Sequence, residues 1–166
     1  MTTSLTSAVK IALSGTLAGT PALGNAAHNL NYGQVFNFAA GAGANQANLL
    51  WENTITITAS SSTSLDLTSL TDALGDAIVF AKVKAMAVFA HAANTNNVLV
   101  GNGTDPWYAW ADAGTDVITV VPGGLFMLVA PTAAGFAVTA STAMTLKLAN
   151  SSSGTSVVLD IVLIGA

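Results

Sequence analysis

The sequence has no cysteine and no arginine, and only 7% of its 166 residues are charged. Ordinary soluble domains carry about 25% charged residues. The absence of cysteine excludes disulfides, thiolate metal sites and cysteine nucleophiles together. It leaves the redox compartment open. A net charge of -4 with no basic run argues against nucleic-acid binding. Glu52 is the single glutamate, so no paired-carboxylate signature is present.

Long apolar runs are also missing. A spanning helix needs about 20 consecutive apolar residues. The best stretch, 77–90, is shorter and contains Lys82 and Lys84. An outer-membrane barrel is harder to exclude, because its strands alternate as well. Such barrels carry aromatic girdles, whereas the Phe, Trp and Tyr residues here are few and clustered. The start, Met1-Thr-Thr-Ser, lacks the basic and apolar segments of a secretory signal. The expectation is therefore a protein without a membrane partner.

What is present is alternation. Hydrophobic residues make up 52% of the chain and are patterned, which excludes disorder. The remaining surface is polar mainly through Ser, Thr, Asn and Gly. Uncharged hydroxyls and amides are cheaper to desolvate than charges, and interface cores are depleted in Lys, Glu and Asp. Most of this surface is expected to be covered by neighbours.

Leu5, Val9, Ile11 and Leu13 share one face of a first strand that ends at Ser14-Gly15. Residues 16–31, rich in Gly, Ala and Asn with Pro21 and Gly24, read as an extended arm or loop. Phe36 and Phe38 share a face before Gly41-Ala-Gly-Ala-Asn45 interrupts the chain. That glycine-rich segment lacks the Lys-Ser/Thr of a phosphate loop. Thr54-Ile-Thr-Ile-Thr58 alternates strictly and predicts a strand. Thr71-Asp-Ala-Leu-Gly75 predicts one helical turn stopped by glycine. Residues 78–91 predict a long strand with Val79, Ala81, Val83, Ala85, Ala87 and Phe89 on one face and Lys82 and Lys84 on the other. Helix is the competing reading there, since Ala and Lys are good helix formers.

Short strands and turns follow to a last strand carrying Val157, Leu159, Ile161 and Leu163. Strands at this spacing, with no helix long enough for a crossover, predict an all-β fold. The count fits a single jelly-roll-like β-sandwich best. Residues 1–45 form an extended N-terminal arm with one or two strands, and residues 46–166 the sandwich.

Chemical constellations are weak. His28 and His91 are the only histidines, and no Gly-x-Ser-x-Gly elbow occurs. No catalytic residue, cofactor or metal is expected. Asp105, Asp112 and Asp116 lie close together, but aspartate is common in turns for local hydrogen-bonding reasons. Trp107, Tyr108 and Trp110 read either as a sugar-stacking platform or as an anchor of a core or subunit interface. Lys82 and Lys84 read either as a solvated face or as cations meeting a partner's acidic patch. These five residues are the candidate interface.

Several segments carry a resemblance. They are Gly43-Ala-Asn-Gln-Ala47, Leu65-Asp-Leu67, Asn94-Thr-Asn-Asn-Val-Leu-Val-Gly101 and Val120-Val-Pro-Gly-Gly-Leu-Phe126. Gly135-Phe-Ala-Val-Thr-Ala140, Leu146-Lys-Leu-Ala-Asn-Ser-Ser-Ser-Gly154 and Leu159-Asp-Ile-Val-Leu-Ile-Gly165 continue it. Over residues 34–166 the chain resembles small jelly-roll structural proteins of tailed bacteriophages, of the head decoration or cement kind. The resemblance implies a virion protein on the capsid surface, clamping major capsid protein subunits as a homotrimer or dimer. The N-terminal arm would add a strand to a neighbour. Other virion parts, namely a tail tube, a head fibre or a receptor-binding tip, are the alternative, followed by a glycan-binding jelly-roll lectin.

Overall fold

The computed structural model describes residues 4–21, 23–24 and 26–166. Residues 1–3, at the start of the expected arm, and 22 and 25 within it lie outside the described residues.

The strands, in chain order, begin with β1 (Ser7–Gly19), β2 (Ala26–Ala40), β3 (Gln46–Ala47), β4 (Leu49–Ile57) and β5 (Ser62–Asp66). They continue with β6 (Leu70–Thr71), β7 (Ala77–Ile78), β8 (Lys82–Ala90), β9 (Val98–Gly101) and β10 (Val117–Val120). The last are β11 (Leu125–Val129), β12 (Phe136–Ala137), β13 (Thr145–Asn150) and β14 (Val157–Gly165). No helix occurs among the described residues. The protein is all-β.

Two sheets enclose one core. The first runs β10-β9-β13-β5 and the second β11-β8-β14-β4, with β12 also paired to β8. Every pairing within these two sheets is antiparallel. The alternation read from the sequence sets which side chains enter. Val157, Leu159, Ile161 and Leu163 of β14 meet Leu146 and Leu148 of β13 and Val98 and Val100 of β9. Trp51, Ile55 and Ile57 of β4 complete the same cluster. Burial of this kind contributes roughly 25 cal/mol per Å² of apolar surface removed from water.

At one end the polar closure is made by amides. Asn150 is buried, and its Nδ2 donates to the carbonyls of Ile57, Thr58 and Thr155 at 3.4, 3.2 and 2.8 Å. Its Oδ1 accepts from Asn96 Nδ2 at 3.0 Å. Asn94 acts like one residue of a neighbouring strand: its amide donates to Val158 O and accepts from Val158 N, both at 2.8 Å. Buried polar groups need such partners, because an unmet one loses its hydration without return.

Three expectations are corrected. Within the expected arm or loop 16–31, residues 16–19 and 26–31 are strand: β1 and β2 pair in one unbroken register from Ser7↔Phe38 to Gly19↔Ala26. Small residues tolerate a ribbon as well as a loop, and composition alone does not separate the two. The segment 71–75 is not a helical turn. Asp72 Oδ1 accepts from the backbone N–H of Leu74 and Asp76, both at 2.9 Å, and closes a tight turn between β6 and β7. An aspartate bonding its own backbone competes with helix in this way. Finally, the expected strand 78–91 is broken after β7 and resumes as β8, with Val79 exposed.

The faces of β8 also differ from expectation. Met86, Val88 and Ala90 point into the core together with Val83, whereas Phe89 is exposed. The cause is a register shift. Ile164 pairs with Ala85 and Gly165 with Val83, so Lys84 has no partner in β14. One extra residue in a strand reverses the inside-outside pattern beyond it.

Candidate interaction surface

The bulge places Lys84 where strict alternation would not. Its side chain is 0% exposed. The ammonium donates to the carbonyls of Gly43 at 3.2 Å and Ala133 at 3.0 Å, and to that of Thr132. Lys82 Nζ donates to Ala42 O at 3.2 Å and Ala133 O at 3.0 Å. The two lysines therefore tie the turn 41–45, at the foot of the β1–β2 hairpin, to the turn 131–135. Asn45 N reinforces the link by donating to Pro131 O at 2.7 Å. The turn 41–45 is shaped by Gln46, whose Oε1 accepts from Gly43 N at 2.8 Å. Burial, and secondarily the neighbouring Lys82 ammonium, hold the Lys84 pKa below its ordinary value. Lys84 is an internal clamp and offers no charge to a partner, which corrects its reading as a solvated or partner-facing cation.

Trp107 is likewise internal, at 1% exposure. Its Nε1 donates to Ala137 O at 2.9 Å, and its ring meets Phe136 edge-on at 6.4 Å. Trp110 Nε1 donates to Trp107 O at 3.0 Å, while its ring packs on Phe126 at 5.5 Å. Tyr108 remains 41% exposed. Of the three aromatics, Trp107 belongs to the core and Trp110 to its margin, so a flat stacking platform is not formed. Asp116 Oδ2 accepts from the N–H groups of Asp112 and Ala113 at 3.1 and 2.9 Å and closes a turn. Among the described residues, no group of three or more His, Cys, Asp or Glu side chains is placed to hold a metal ion.

A polar set that the sequence did not single out lies on the outer face of the second sheet. Asp160 accepts from Thr54 Oγ1 at 2.7 Å and lies 2.9 Å from His91 Nε2. The carboxylate stands between the hydroxyl and the imidazole. The Thr54 hydroxyl therefore lacks the histidine base that a hydrolytic triad places beside its nucleophile. The hydrogen bonds from Thr54 and His91 hold the Asp160 pKa below its ordinary 3.8. A carboxyl lowered on folding stabilises the fold above its unfolded value, and this is lost as pH falls through the folded value. Asp160→Asn is thus expected to flatten the decline in melting temperature below pH 3.8, as read by thermal melts across the acid range.

The most exposed apolar surface is the hairpin itself. At its foot, Val9, Phe36 and Phe38 pack with Ala85, Val129, Val162 and Ile164 on the outer face of the second sheet. The β1–β2 register puts Val9, Ile11, Leu13 and Leu17 on one face with Phe38, Phe36, Tyr32 and Leu30. Beyond the foot that face is open: Leu17 is 75% exposed, Leu23 in the connecting segment 100%, and Leu13, Leu30 and Tyr32 more than half. The signal was present as alternation on both sides of Pro21 and Gly24, masked by the small residues between. The second sheet also leaves part of its outer face uncovered, where Phe89 and Leu125 are exposed and face each other across β8 and β11.

The chain matches no protein-family model, and comparison with curated proteins and with solved structures gives no match either.

Proposed function

We propose that the chain is a structural virion protein, a decoration or cement protein that stabilises a phage head by binding across major capsid protein subunits, and that its sandwich is a jelly roll. The observation that carries the reading is the projecting hairpin. Residues 11–35 contain no formally charged side chain, yet they hold leucines open to solvent. A two-stranded ribbon is marginal alone in water, and a surface of this kind is suited to burial in an assembly.

Strand order supports the jelly-roll part. Counted along the chain, the eight main strands lie as first, eighth, third and sixth in one sheet, and second, seventh, fourth and fifth in the other. A ribbon that pairs its first strand with its last and then folds over itself produces this order, and viral capsid proteins are among its users. Fold alone does not carry function; the charge-poor surface and the hairpin add the argument for assembly. The mechanism is mechanical. Area buried across a junction between shell subunits raises the barrier to opening that junction.

Particle composition tests this. Densitometry of purified virions is expected to give a copy number comparable with that of the shell subunit, and particles lacking the protein are expected to release their genome at lower temperature. A handful of copies at the tail, or density away from the shell in a particle map, overturns the proposal. Selective glycan binding lost with Tyr108→Ala would assign the chain to the lectins instead.

A further inference from the structure

We propose that the open hairpin face of one copy, carrying Leu13, Leu17, Leu30 and Tyr32, seats on the uncovered end of the second sheet of another copy, against Ala87, Phe89, Leu125 and Met127. The inference rests on the reading of this chain as an assembling protein, but not on where the assembly sits.

Continuity is the first argument. The foot of the hairpin already covers the outer side chains Ala85 and Val129 of the adjacent strands β8 and β11. The next outward pairs along those strands are Met127↔Ala87 and Leu125↔Phe89. Among the described residues, Phe89 has His91 beside its ring at 6.2 Å, yet Phe89 and Leu125 stay 40% and 57% exposed. A small apolar notch lined by Val9, Ala87 and Met127 marks where the covering layer stops. An incoming hairpin face would extend that layer with the same chemistry, aliphatic and aromatic side chains on a β surface.

Charge is the second. The donor segment has no Lys, Arg, Asp or Glu between residues 11 and 35, and the four acceptor side chains are neutral; Asp160, the neighbour of Phe89 in β14, is already engaged by Thr54 and His91. A nucleic acid or a charged protein surface would find no complement on the hairpin face. An anionic lipid surface calls for the Lys and Arg that flank membrane-binding segments, and among the described residues of the hairpin the one lysine, Lys10, lies on the opposite face.

Area is the third, and it favours exchange between copies over one-way docking. The open part of the ribbon, nine residues of β1 beside β2, measures roughly 30 by 10 Å from strand rise and spacing. One such face buries about 600 Å² counting both partners, which is below the ~1,000 Å² a specific interface needs. Reciprocal donation in a closed assembly at least doubles the total to roughly 1,200 Å², which passes it. Because the exposed leucines and Tyr32 lie on one face of the ribbon, the contact is face to face.

Sedimentation of the full chain tests this. Wild type is expected to be oligomeric. Leu17→Glu with Leu30→Glu on the donor face, and Leu125→Glu on the acceptor, are each expected to weaken association by about 100-fold or more. Ala12→Glu, on the opposite face of the ribbon, is expected to leave it unchanged. Circular dichroism confirms that each variant is folded. Mixing the donor and acceptor variants is expected to recover association only in part, above either variant alone but short of wild type, because one of the two reciprocal contacts is then intact. A wild type that stays monomeric at about 100 µM, or an oligomer indifferent to these substitutions, overturns the inference. So does a monomer whose hairpin binds phosphatidylcholine vesicles. A monomer that binds capsids through its hairpin overturns the inference but leaves the decoration function standing. A hairpin-dependent oligomer that ignores capsids does the reverse.

Discussion

Lys84→Met is expected to destabilise the fold by about 2–3 kcal/mol through the loss of charge-assisted hydrogen bonds. At the usual sensitivity of a domain of this size, that lowers the melting temperature by roughly 4–12 °C. Two effects oppose each other. Methionine keeps most of the stem and relieves the burial of a charge that has no carboxylate partner. Against this, the carbonyls of Gly43, Thr132 and Ala133 lose their shared donor. Thr132 and Ala133 are exposed enough for water to replace the ammonium, whereas Gly43 is half-buried. The loss should dominate because the same ammonium holds two turns together, and with them the foot of the hairpin. Lys82→Met, whose side chain is only half-buried, is expected to cost under about 1 kcal/mol.

The same side chain gives an alkaline signature. Its folded pKa lies below the unfolded value, so across that interval the unfolded chain holds the extra proton. This contribution makes the fold gain stability as pH rises from the folded value of Lys84 towards 10.5. Urea unfolding at neutral and alkaline pH should show the gain in wild type and its absence in Lys84→Met. Equal slopes would mean that the ammonium is not buried in solution.

Trp107→Ala is expected to cost about 3–5 kcal/mol, the range for removing a large aromatic from a core. In a domain of this length that corresponds to roughly 6–20 °C in melting temperature. The indole fills the space beside Phe136, and its N–H satisfies Ala137 O. Both the packing and that carbonyl's partner disappear together. Tyr108→Ala, at an exposed position one residue away, is expected to stay within about 0.5 kcal/mol. Calorimetry of the two variants separates a core tryptophan from a surface one. Similar melting temperatures would return Trp107 to the candidate interface.

The sandwich strands were legible because their faces obey simple alternation. β4 and β14 bury alternate side chains over most of their length, and period two survives even in a sequence rich in Ala and Thr. Lys84 was illegible for a specific reason. The extra residue in β8 depends on how β14 and its Gly165 meet that strand, a pairing between distant segments. Local alternation therefore assigned the correct residues to the wrong faces. The distal hairpin was hidden differently. Gly15, Gly19, Ala26 and Ala27 alternate with nothing that marks a face, and the leucines were too sparse to outweigh them. The core position of Trp107 stayed undecided because a tryptophan in a turn-rich stretch serves a core or a surface equally well. Only the neighbouring Phe136, supplied by β12, decides between them.

The amide closure formed by Asn94, Asn96 and Asn150 has a consequence for the medium in which the protein can work. Salt weakens attractions between exposed charges over a distance of about 10 Å at 0.1 M. Neutral amides bonded to carbonyls offer salt almost nothing to screen. Among the described residues, no Lys–carboxylate ion pair forms, and the His91–Asp160 contact is the one meeting of titratable side chains of opposite type. Joints made in this way should hold in dilute and concentrated electrolyte alike.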